Sequence, residues 1–297
     1  MGALDEPEII DAQVHLFADD DPQYPWDPAV LADPALEAMR TRFREHLAQA
    51  SVEAMLRLMD SEGVHGALVV SPSIYGYDNS YSVAAWETHP ARFRVVGRVD
   101  SAAPDVEDLL ARWAADPAYV GLRVNLWAPA AVERFAAGGD DRMLAAAGRS
   151  GLRVCVNAPG RFDLQERIAR RFPELPLIID HLGLFEIPML DPGYGDTFAK
   201  LDGLLGLARF EQVAVKLTSL PLLSREPFPN DDVWPHLERV IAAFGPERLM
   251  WGSDQTVFDH DYRETVDLIR ATDRLGAADK RQILGASLRR VWGWPAP

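Results

Sequence analysis

Three side chains that can activate water or bind a metal stand where short apolar runs of the chain end. His15 follows the first run, His181 follows the sixth and Asp254 follows the last. A hydrolytic site needs a group that deprotonates water and groups that stabilise the resulting oxyanion. We therefore predict that Asp254 is the base. The two histidines are predicted to bind a metal, donate to the oxyanion or orient the base.

Other polar residues near the ends of these runs are suited to holding a substrate. Arg123 has the planar guanidinium that pairs with a carboxylate through two hydrogen bonds, a geometry that lysine lacks. The residues predicted to contact substrate are Gln13, Trp26, Ser73, Asn79 and Asn157. Lys216 is left as either a member of the site or a side chain on the outside of the fold with its ammonium in water.

Each assignment has a purely structural alternative. A single histidine near a strand end is more often a hydrogen-bonding residue of the core than a ligand. Asp254 is also suited to capping a helix, and Asn79 to starting a turn. Three reactive side chains at the ends of three separate strands favour a functional site over these alternatives.

The elements that position these residues repeat along the whole chain. Eight short β-rich runs alternate with longer segments whose apolar residues recur at helical spacing. The predicted strands are Ile9–Val14, Ala67–Val70, Phe93–Val99, Val120–Leu126, Leu152–Asn157, Leu177–Asp180, Val213–Leu217 and Leu249–Trp251. Eight strand–helix units in 297 residues predict a (β/α)8 barrel. An open doubly wound sheet fits less well, because no Gly-x-Gly-x-x-Gly turn follows the first strand.

We predict an α/β fold with a single domain over residues 1–297, a distorted TIM barrel with long loops at its strand ends. The long loops are 17–45, 184–197 and 218–232. All three follow the carboxyl end of a predicted strand, where barrel enzymes build their active sites. Loops of this length often act as lids or binding segments.

The composition limits the classes of partner. The formal net charge is −15 and no basic stripe interrupts the acidic background, so we expect neither nucleic acid nor an anionic membrane as a partner. No apolar stretch reaches the length of about 18 residues that a membrane span needs. Cys155 is the only cysteine, which excludes an internal disulfide and favours a cytoplasmic location. We expect a small-molecule substrate, and a homo-oligomer is left open because barrels of this size often self-associate.

The ordered set of strand-end motifs resembles a known family. The motifs are Ile10-Asp-Ala-Gln-Val-His-Leu-Phe17, Ser71-Pro-Ser-Ile-Tyr-Gly-Tyr-Asp-Asn79, Gly121-Leu-Arg-Val-Asn125, Ile179-Asp-His-Leu-Gly183 and Met250-Trp-Gly-Ser-Asp254. In this order, over residues 9–292, they resemble the amidohydrolase superfamily and its amidohydrolase-2 group. Within that group they are most similar to the branch containing 2-pyrone-4,6-dicarboxylate lactonase and the sugar-lactone hydrolases. The resemblance implies a distorted (β/α)8 barrel in which Asp254 activates water, His181 is the strand-six histidine and Arg123 engages the scissile carbonyl or a substrate carboxylate.

The chain departs from this family at two positions. The first strand of the family usually reads His-x-His, where this chain has Gln13 and His15, and Asn157 stands near the position of a strand-five histidine. An amide is a poor transition-metal ligand beside imidazole. We therefore expect no metal and no other cofactor. A single divalent metal such as zinc, bound through His15, His181 and Asp254, is the alternative.

Together these features predict a hydrolase that opens a lactone or ester of a small organic acid with water activated by Asp254. His181, Arg123 and His15 form the electrophilic side of the predicted site. Arg123 is the one firmly placed arginine and Arg225 is a weaker candidate, so we expect a less charged, partly aromatic substrate. Two alternatives are kept: a metal-dependent non-oxidative decarboxylase of a small aromatic or unsaturated acid, and a non-catalytic binding barrel.

Overall fold

Eight parallel strands form one sheet in which each strand pairs with the next along the chain. The structure is a computed structural model, and it describes residues 7–184, 195–255 and 260–295. The strands are β1 Ile10–Val14, β2 Gly66–Val70, β3 Phe93–Gly97, β4 Tyr119–Asn125, β5 Arg153–Asn157, β6 Leu177–Ile179, β7 Val213–Thr218 and β8 Leu249–Gly252. Their ends lie within two residues of the predicted ranges, and the predicted (β/α)8 barrel is confirmed.

The sheet curves until β8 approaches β1. The backbone N–H of Asp254 donates to the carbonyl oxygen of Gln13 at 2.9 Å, and the N–H of Ser253 donates to a carboxylate oxygen of Asp11 at 2.8 Å. Gly252 permits this approach, because a Cβ at that position would lie 2.9 Å from the backbone nitrogen of Gln13. The residues that follow β8 therefore lie directly beside the first strand.

Apolar side chains pack on both sides of the strand wall. The core inside the barrel contains Ile10, Leu68, Cys155, Ile178 and Met250, and Trp292 and Trp294 pack against it. A larger cluster fills the space between the sheet and the helices. Strands covered on both faces are expected to be almost continuously apolar. Charged side chains buried at the carboxyl ends of the strands are exceptions to this pattern, and they form the site described below.

Helices cover the outside of the sheet. Those in the described residues are α1 Pro28–Ala32, α2 Glu37–His46, α3 Val52–Ser61, α4 Ser80–Thr88, α5 Val106–Ala115, α6 Pro129–Ala136, α7 Asp141–Arg149, α8 Phe162–Arg171, α9 Leu201–Leu207, α10 Leu220–Leu223, α11 Trp234–Phe244, α12 Tyr262–Arg270, α13 Ala277–Arg281 and α14 Ser287–Trp292. No helix in these parts of the chain has both the length and the apolar character that crossing a bilayer requires.

The long connections predicted at the strand ends contain short helices. Segment 17–45 includes α1 and most of α2, although its composition suggested a continuous loop. The side chain of Asp27 accepts a hydrogen bond from the N–H of Ala29 at 2.7 Å, and Pro28 occupies the first helical position, so the start of α1 is a standard cap. Segment 218–232 includes α10, whereas most of 184–197 lies outside the described residues.

Candidate active site

Asp254 lies just beyond β8, and its side chain is almost completely buried. Its φ of 57° falls in the left-handed region that residues other than glycine rarely adopt. The hydroxyl of Ser219, which follows β7, donates to Asp254 Oδ2 at 2.9 Å. Asp254 Oδ1 has no hydrogen-bond partner within the described part of the chain. One carboxyl oxygen is therefore held by Ser219, and the other is buried without a hydrogen-bond partner among the described residues.

The burial of Asp254 has a direct consequence for its protonation. Burial raises the pKa of its carboxyl to about 7, although Arg123 and the hydrogen bond from Ser219 favour the charged form. Efficient general bases have pKa values near the working pH, because they must be deprotonated and still basic enough to take a proton. A carboxyl with a pKa near 7 is partly ionised at neutral pH and can accept a proton there.

His15 lies just beyond β1 and is a neutral ring with an identifiable tautomer. Its Nδ1 lies 2.7 Å from the carbonyl oxygen of Val70, which can only accept, so Nδ1 carries the proton. Burial lowers the pKa of His15 to about 3, and Arg123 acts in the same direction. The acceptor nitrogen Nε2 lies 3.5 Å from Asp254 Oδ1. His15 is therefore next to the oxygen of Asp254 that lacks a partner.

His181 follows β6 and is oriented by its neighbours in a similar way. Arg123 Nη2 lies 3.2 Å from its Nε2, and a guanidinium can only donate, so Nε2 is the acceptor. Nδ1 then carries the proton and lies 2.7 Å from the Thr218 hydroxyl. Burial lowers the pKa of His181 to about 3, which keeps the ring neutral. His181 Nδ1 lies 3.7 Å from Asp254 Oδ2, so these two predicted catalytic groups are adjacent.

A buried group of ions lies beneath these residues. Lys216 Nζ is 3.1 Å from Asp180 Oδ1, and Arg123 Nε is 2.8 Å from Asp180 Oδ2. Burial alone would raise the pKa of Asp180, but the two cations hold it well below its ordinary value. Lys216 also donates to Gln13 Oε1 at 2.6 Å. Lys216 is therefore inside the barrel, and the alternative of an exterior position with the ammonium in water was wrong.

A cleft of about 240 Å³ opens beside Arg123 at the carboxyl ends of β2, β3 and β4. The cleft is covered on one side by residues between β1 and α3, such as Asp27, which precedes α1, and Met39 of α2. Its polar and aromatic lining includes Ser73, Tyr77, Arg98, Ser101, Arg123, Asn125 and Trp127. Because Arg123 contacts both His181 and the cleft, a ligand in the cleft lies next to the buried site.

The predicted substrate-binding residues are distributed unevenly around this cleft. Ser73 lines it, and Gln13 lies in the buried site, where its side-chain amide is 3.2 Å from His15 Nε2. Asn157 ends β5 and pairs in register with Asn125. The Trp26 indole is buried and donates to the carbonyl oxygen of Ala18 instead of facing the cleft.

Asn79 makes contacts that explain its position without a ligand. Its amide nitrogen donates to the carbonyl oxygen of Arg98 at 2.9 Å, and its amide oxygen accepts from the N–H of Arg98 at 2.8 Å. This pair of bonds fixes the loop after β2 to the end of β3. Asn79 therefore orients Arg98. Arg98 lines the cleft, whereas Asn79 does not line it and contacts it through the backbone of Arg98.

Reasoning from the sequence missed three polar residues of the site and left the position of Lys216 open. The missed residues are Arg98, Asp180 and Ser219, each directly after a strand. A signal was available for two of them, because Arg98 and Asp180 are charged residues within or directly after apolar runs. No comparable signal distinguishes Ser219, because its role depends on the closeness of β7 and β8 in space.

The side chains around Asp254 fit a divalent metal poorly. The alternative ligand set was His15, His181 and Asp254, but the acceptor nitrogen of His181 faces a guanidinium. Gln13, at the position of a histidine in the family pattern, accepts a hydrogen bond from the Lys216 ammonium. Two fixed cations, Arg123 and Lys216, therefore occupy the ligand atoms of His181 and Gln13. Within the described residues, no group of three or more His, Cys, Asp or Glu side chains has an arrangement that could hold a metal ion.

Several solved structures have the same fold as this chain. A zinc-bound amidohydrolase from Burkholderia multivorans superposes with a TM-score of 0.76 at 22% identity and covers 97% of this chain and 100% of its own. A Pseudomonas putida protein assigned as a 2-pyrone-4,6-dicarboxylic acid hydrolase gives a TM-score of 0.74 at 23% identity and covers 98% and 100%. The 5-carboxyvanillate decarboxylase of Sphingomonas paucimobilis gives 0.62 at 16% identity and covers 97% and 99%. Similarity at these identities establishes the barrel fold.

Sequence comparison gives a more specific relationship. The 4-sulfomuconolactone hydrolase of Hydrogenophaga intermedia is 28% identical over 204 residues, which cover 68% of this chain and 64% of that protein. The match thus spans just under two thirds of the length of this curated relative. The sequence profile of the amidohydrolase family (Amidohydro_2) matches residues 10–294, and the chain belongs to that family.

Proposed function

We propose that this protein hydrolyses a lactone, or a closely related ester, of a small organic acid, with Asp254 as the general base. The observation that carries the proposal is the geometry of Asp254. Its carboxyl is fixed through one oxygen, leaves the other without a partner, and has a pKa raised by burial to about 7. The names of the family relatives that describe hydrolysis of a sulfomuconolactone or a pyrone dicarboxylic acid support a cyclic ester as substrate.

In the proposed reaction, water attacks the lactone carbonyl carbon while Asp254 Oδ1 takes one of its protons. The carbonyl π electrons move to oxygen, which becomes an oxyanion. When the tetrahedral intermediate collapses, the ring C–O bond breaks, and the proton on Asp254 passes to the departing alkoxide or enolate oxygen. The product is a ring-opened acid, and Asp254 returns to its carboxylate form.

Arg123 is the proposed electrophile. It is fixed by Asp180 and His181 at one side of its guanidinium and lines the cleft at the other. A preorganised cation at the position where negative charge develops lowers the barrier, because the charge is not reoriented during the reaction. Since the Nε2 lone pair of His181 accepts from Arg123, we propose that His181 positions Arg123 and is not itself the donor to the oxyanion. His15 contacts the attacking water from the other side of Asp254.

We further propose that this reaction needs no metal ion. Lys216 and Arg123 place two fixed positive charges against Asp180 and beside the neutral histidines, so the negative charge of Asp180 is already compensated and is not available to a divalent cation. Gln13 has its oxygen engaged by the Lys216 ammonium, so it is unsuited to replace the histidine ligand that the family usually has.

The test combines a substrate panel with chelation and metal analysis. Protein purified without chelator is assayed on muconolactone, 4-sulfomuconolactone, 2-pyrone-4,6-dicarboxylate and glucono-1,5-lactone, before and after dialysis against a strong chelator. We expect hydrolysis of at least one lactone that survives dialysis, with less than stoichiometric zinc or manganese in the protein. Stoichiometric metal together with loss of activity on chelation would contradict the metal-independent part of the proposal.

Decarboxylation is a separate outcome of the same assays. Carbon dioxide release is measured from 5-carboxyvanillate and 2,6-dihydroxybenzoate under the same conditions. Release of carbon dioxide without hydrolysis of any lactone would replace the proposed function with the decarboxylase alternative. The absence of both reactions, with tight binding of a panel compound, would favour a binding barrel.

A further inference from the structure

Arg98 is a second arginine of the cleft, and the proposed reaction does not use it. It directly follows β3, next to the strand that carries Arg123, and both side chains line the same cleft. The two hydrogen bonds between the Asn79 side chain and the Arg98 backbone fix the position of Arg98, and its guanidinium lies 5.5 Å from the centroid of the Tyr77 ring. Arg98 is therefore a fixed part of the cleft wall.

Arg98 differs from the other two arginines of the cleft because its charge is not compensated by an ion pair. Arg123 pairs with Asp180 at 2.8 Å, and Arg134 pairs with Asp140 at 3.0 Å. Arg98 forms no ion pair with a carboxylate of the described residues, and its buried Nη1 has no hydrogen-bond partner among them. A guanidinium N–H group that is buried without a hydrogen-bond partner is costly, so the unpartnered Nη1 of Arg98 needs an explanation.

The surroundings of Arg98 are suited to an anion. Ser101 lines the same cleft three residues later, and its buried hydroxyl also lacks a partner in the described structure. Burial lowers the pKa of Arg98 to about 10, and Arg123 acts in the same direction, so the guanidinium stays charged at neutral pH. Asp27 is the facing carboxylate: it favours the charged form of Arg98 without forming an ion pair with it, and it accepts a hydrogen bond from the N–H of Ala29 at the start of α1.

We propose that Arg98 binds a free acidic oxyanion of the substrate, a carboxylate or a sulfonate, with the Ser101 hydroxyl as a second donor. Arg123 then receives the reacting carbonyl, so the two arginines separate the acidic substituent from the ring that is opened. This inference deepens the proposed function and rests on it. It also replaces the expectation of a less charged substrate, which counted Arg123 as the only firmly placed arginine of the site.

The experiment compares each lactone with a partner that lacks the acid. Muconolactone and its primary carboxamide are assayed with the wild-type protein, Arg98→Met and Arg98→Lys. We expect the wild type to prefer the acid, and Arg98→Met to lose roughly 10- to 100-fold in kcat/KM on the acid, which is the usual range for a hydrogen bond to a charged group. The carboxamide should be affected less than threefold, and Arg98→Lys should recover part of the loss through KM.

The matched control is Arg94→Met, the same substitution at the opposite end of β3, where the side chain packs over Trp294. This variant should retain the wild-type preference for the acid. An equal loss by Arg98→Met on the acid and the carboxamide, or a wild-type protein without preference between them, would overturn the inference. A larger loss by Arg98→Met on 4-sulfomuconolactone than on muconolactone identifies the sulfonate as the bound group, and equal losses identify the carboxylate.

A binding measurement separates failure of this inference from failure of the proposed function. Calorimetry with tricarballylate as the probe is carried out on the wild type and on Arg98→Met. Binding that weakens at least tenfold in Arg98→Met supports the acid subsite even if no lactone is hydrolysed. Equal affinity in both proteins, or no binding to the wild type, counts against the subsite even if lactones are hydrolysed.

Discussion

The Lys216 ammonium lies 3.1 Å from Asp180 Oδ1, and both side chains are fully buried inside the barrel. The other oxygen of Asp180 pairs with Arg123, so one carboxylate joins cations from β4 and β7. The same ammonium reaches Gln13 on β1. These contacts link β1, β4 and β7 inside the barrel. They hold Arg123 and Gln13, which also contact His181 and His15, in fixed positions.

We predict that Lys216→Met destabilises the protein by about 3–5 kcal/mol, because removal of one partner leaves a buried carboxylate incompletely compensated. Urea unfolding followed by circular dichroism measures the loss. The double variant Asp180→Asn with Lys216→Met should lose less than the sum of the two single variants, since removal of Lys216 also removes one of the two cations that Asp180→Asn leaves uncompensated. Additive losses would show that the two groups do not act as a pair. Lys280→Met, in the exposed helix α13, is the control and should change stability by less than about 1 kcal/mol.

Asp254→Asn removes the proposed base while keeping the shape of the side chain. We predict a loss of about 10²–10⁴ in kcat, the usual contribution of general-base catalysis, with KM changed much less. The substitution should not lower the free energy of unfolding. Because the folded pKa of about 7 lies above the ordinary value of 3.8, wild-type stability falls as the pH rises between these values. Asp254→Asn lacks that loss, so above pH 7 it should be as stable as the wild type or more so. Unchanged turnover would remove Asp254 from the role of base.

The protonation of Asp254 predicts the pH dependence of catalysis. The carboxyl must be ionised to accept a proton, so kcat/KM should rise with pH to a plateau, with an apparent pKa near 7. The charged groups that affect this carboxyl are Arg123, Asp180 and Asp11, and the neutral His15 and His181 lie beside it. Both histidines have pKa values lowered to about 3, so neither should add a step between pH 5 and 9. A profile that is flat from pH 5 to 8 would contradict the assignment.

The fold and part of the site follow from the sequence because they depend on local patterns. The eight strands are apolar runs between helical segments, and Asp254, His181 and His15 stand at strand ends, so their convergence is a property of parallel barrels. Lys216 could not be placed in this way, because the position of one lysine in an apolar strand depends on its partner Asp180, which follows a different strand.

Local sequence patterns also did not predict helices α1 and α2 or the buried position of Trp26. Trp26 looks like an aromatic loop residue in the sequence, but Phe17, Phe43 and Ile74 enclose it in a small core of its own. Arg98 was missed for a different reason. In the sequence it is one charged residue directly after β3, and only the folded structure shows that no carboxylate of the described loops around it forms an ion pair with it.

Ser219 and Thr218 offer a way to test which contacts tune the base. The hydrogen bond from Ser219 lowers the pKa of Asp254, so Ser219→Ala should move the rising limb of the kcat/KM profile to higher pH and reduce the rate at pH 7 several-fold. Thr218→Val removes a hydroxyl that contacts His181 and not Asp254, so it should leave the position of the limb unchanged even if the rate falls. The two pH profiles are measured on the same lactone. If both variants move the limb equally, the shift comes from a general disturbance of the loop after β7 and not from the hydrogen bond to Asp254.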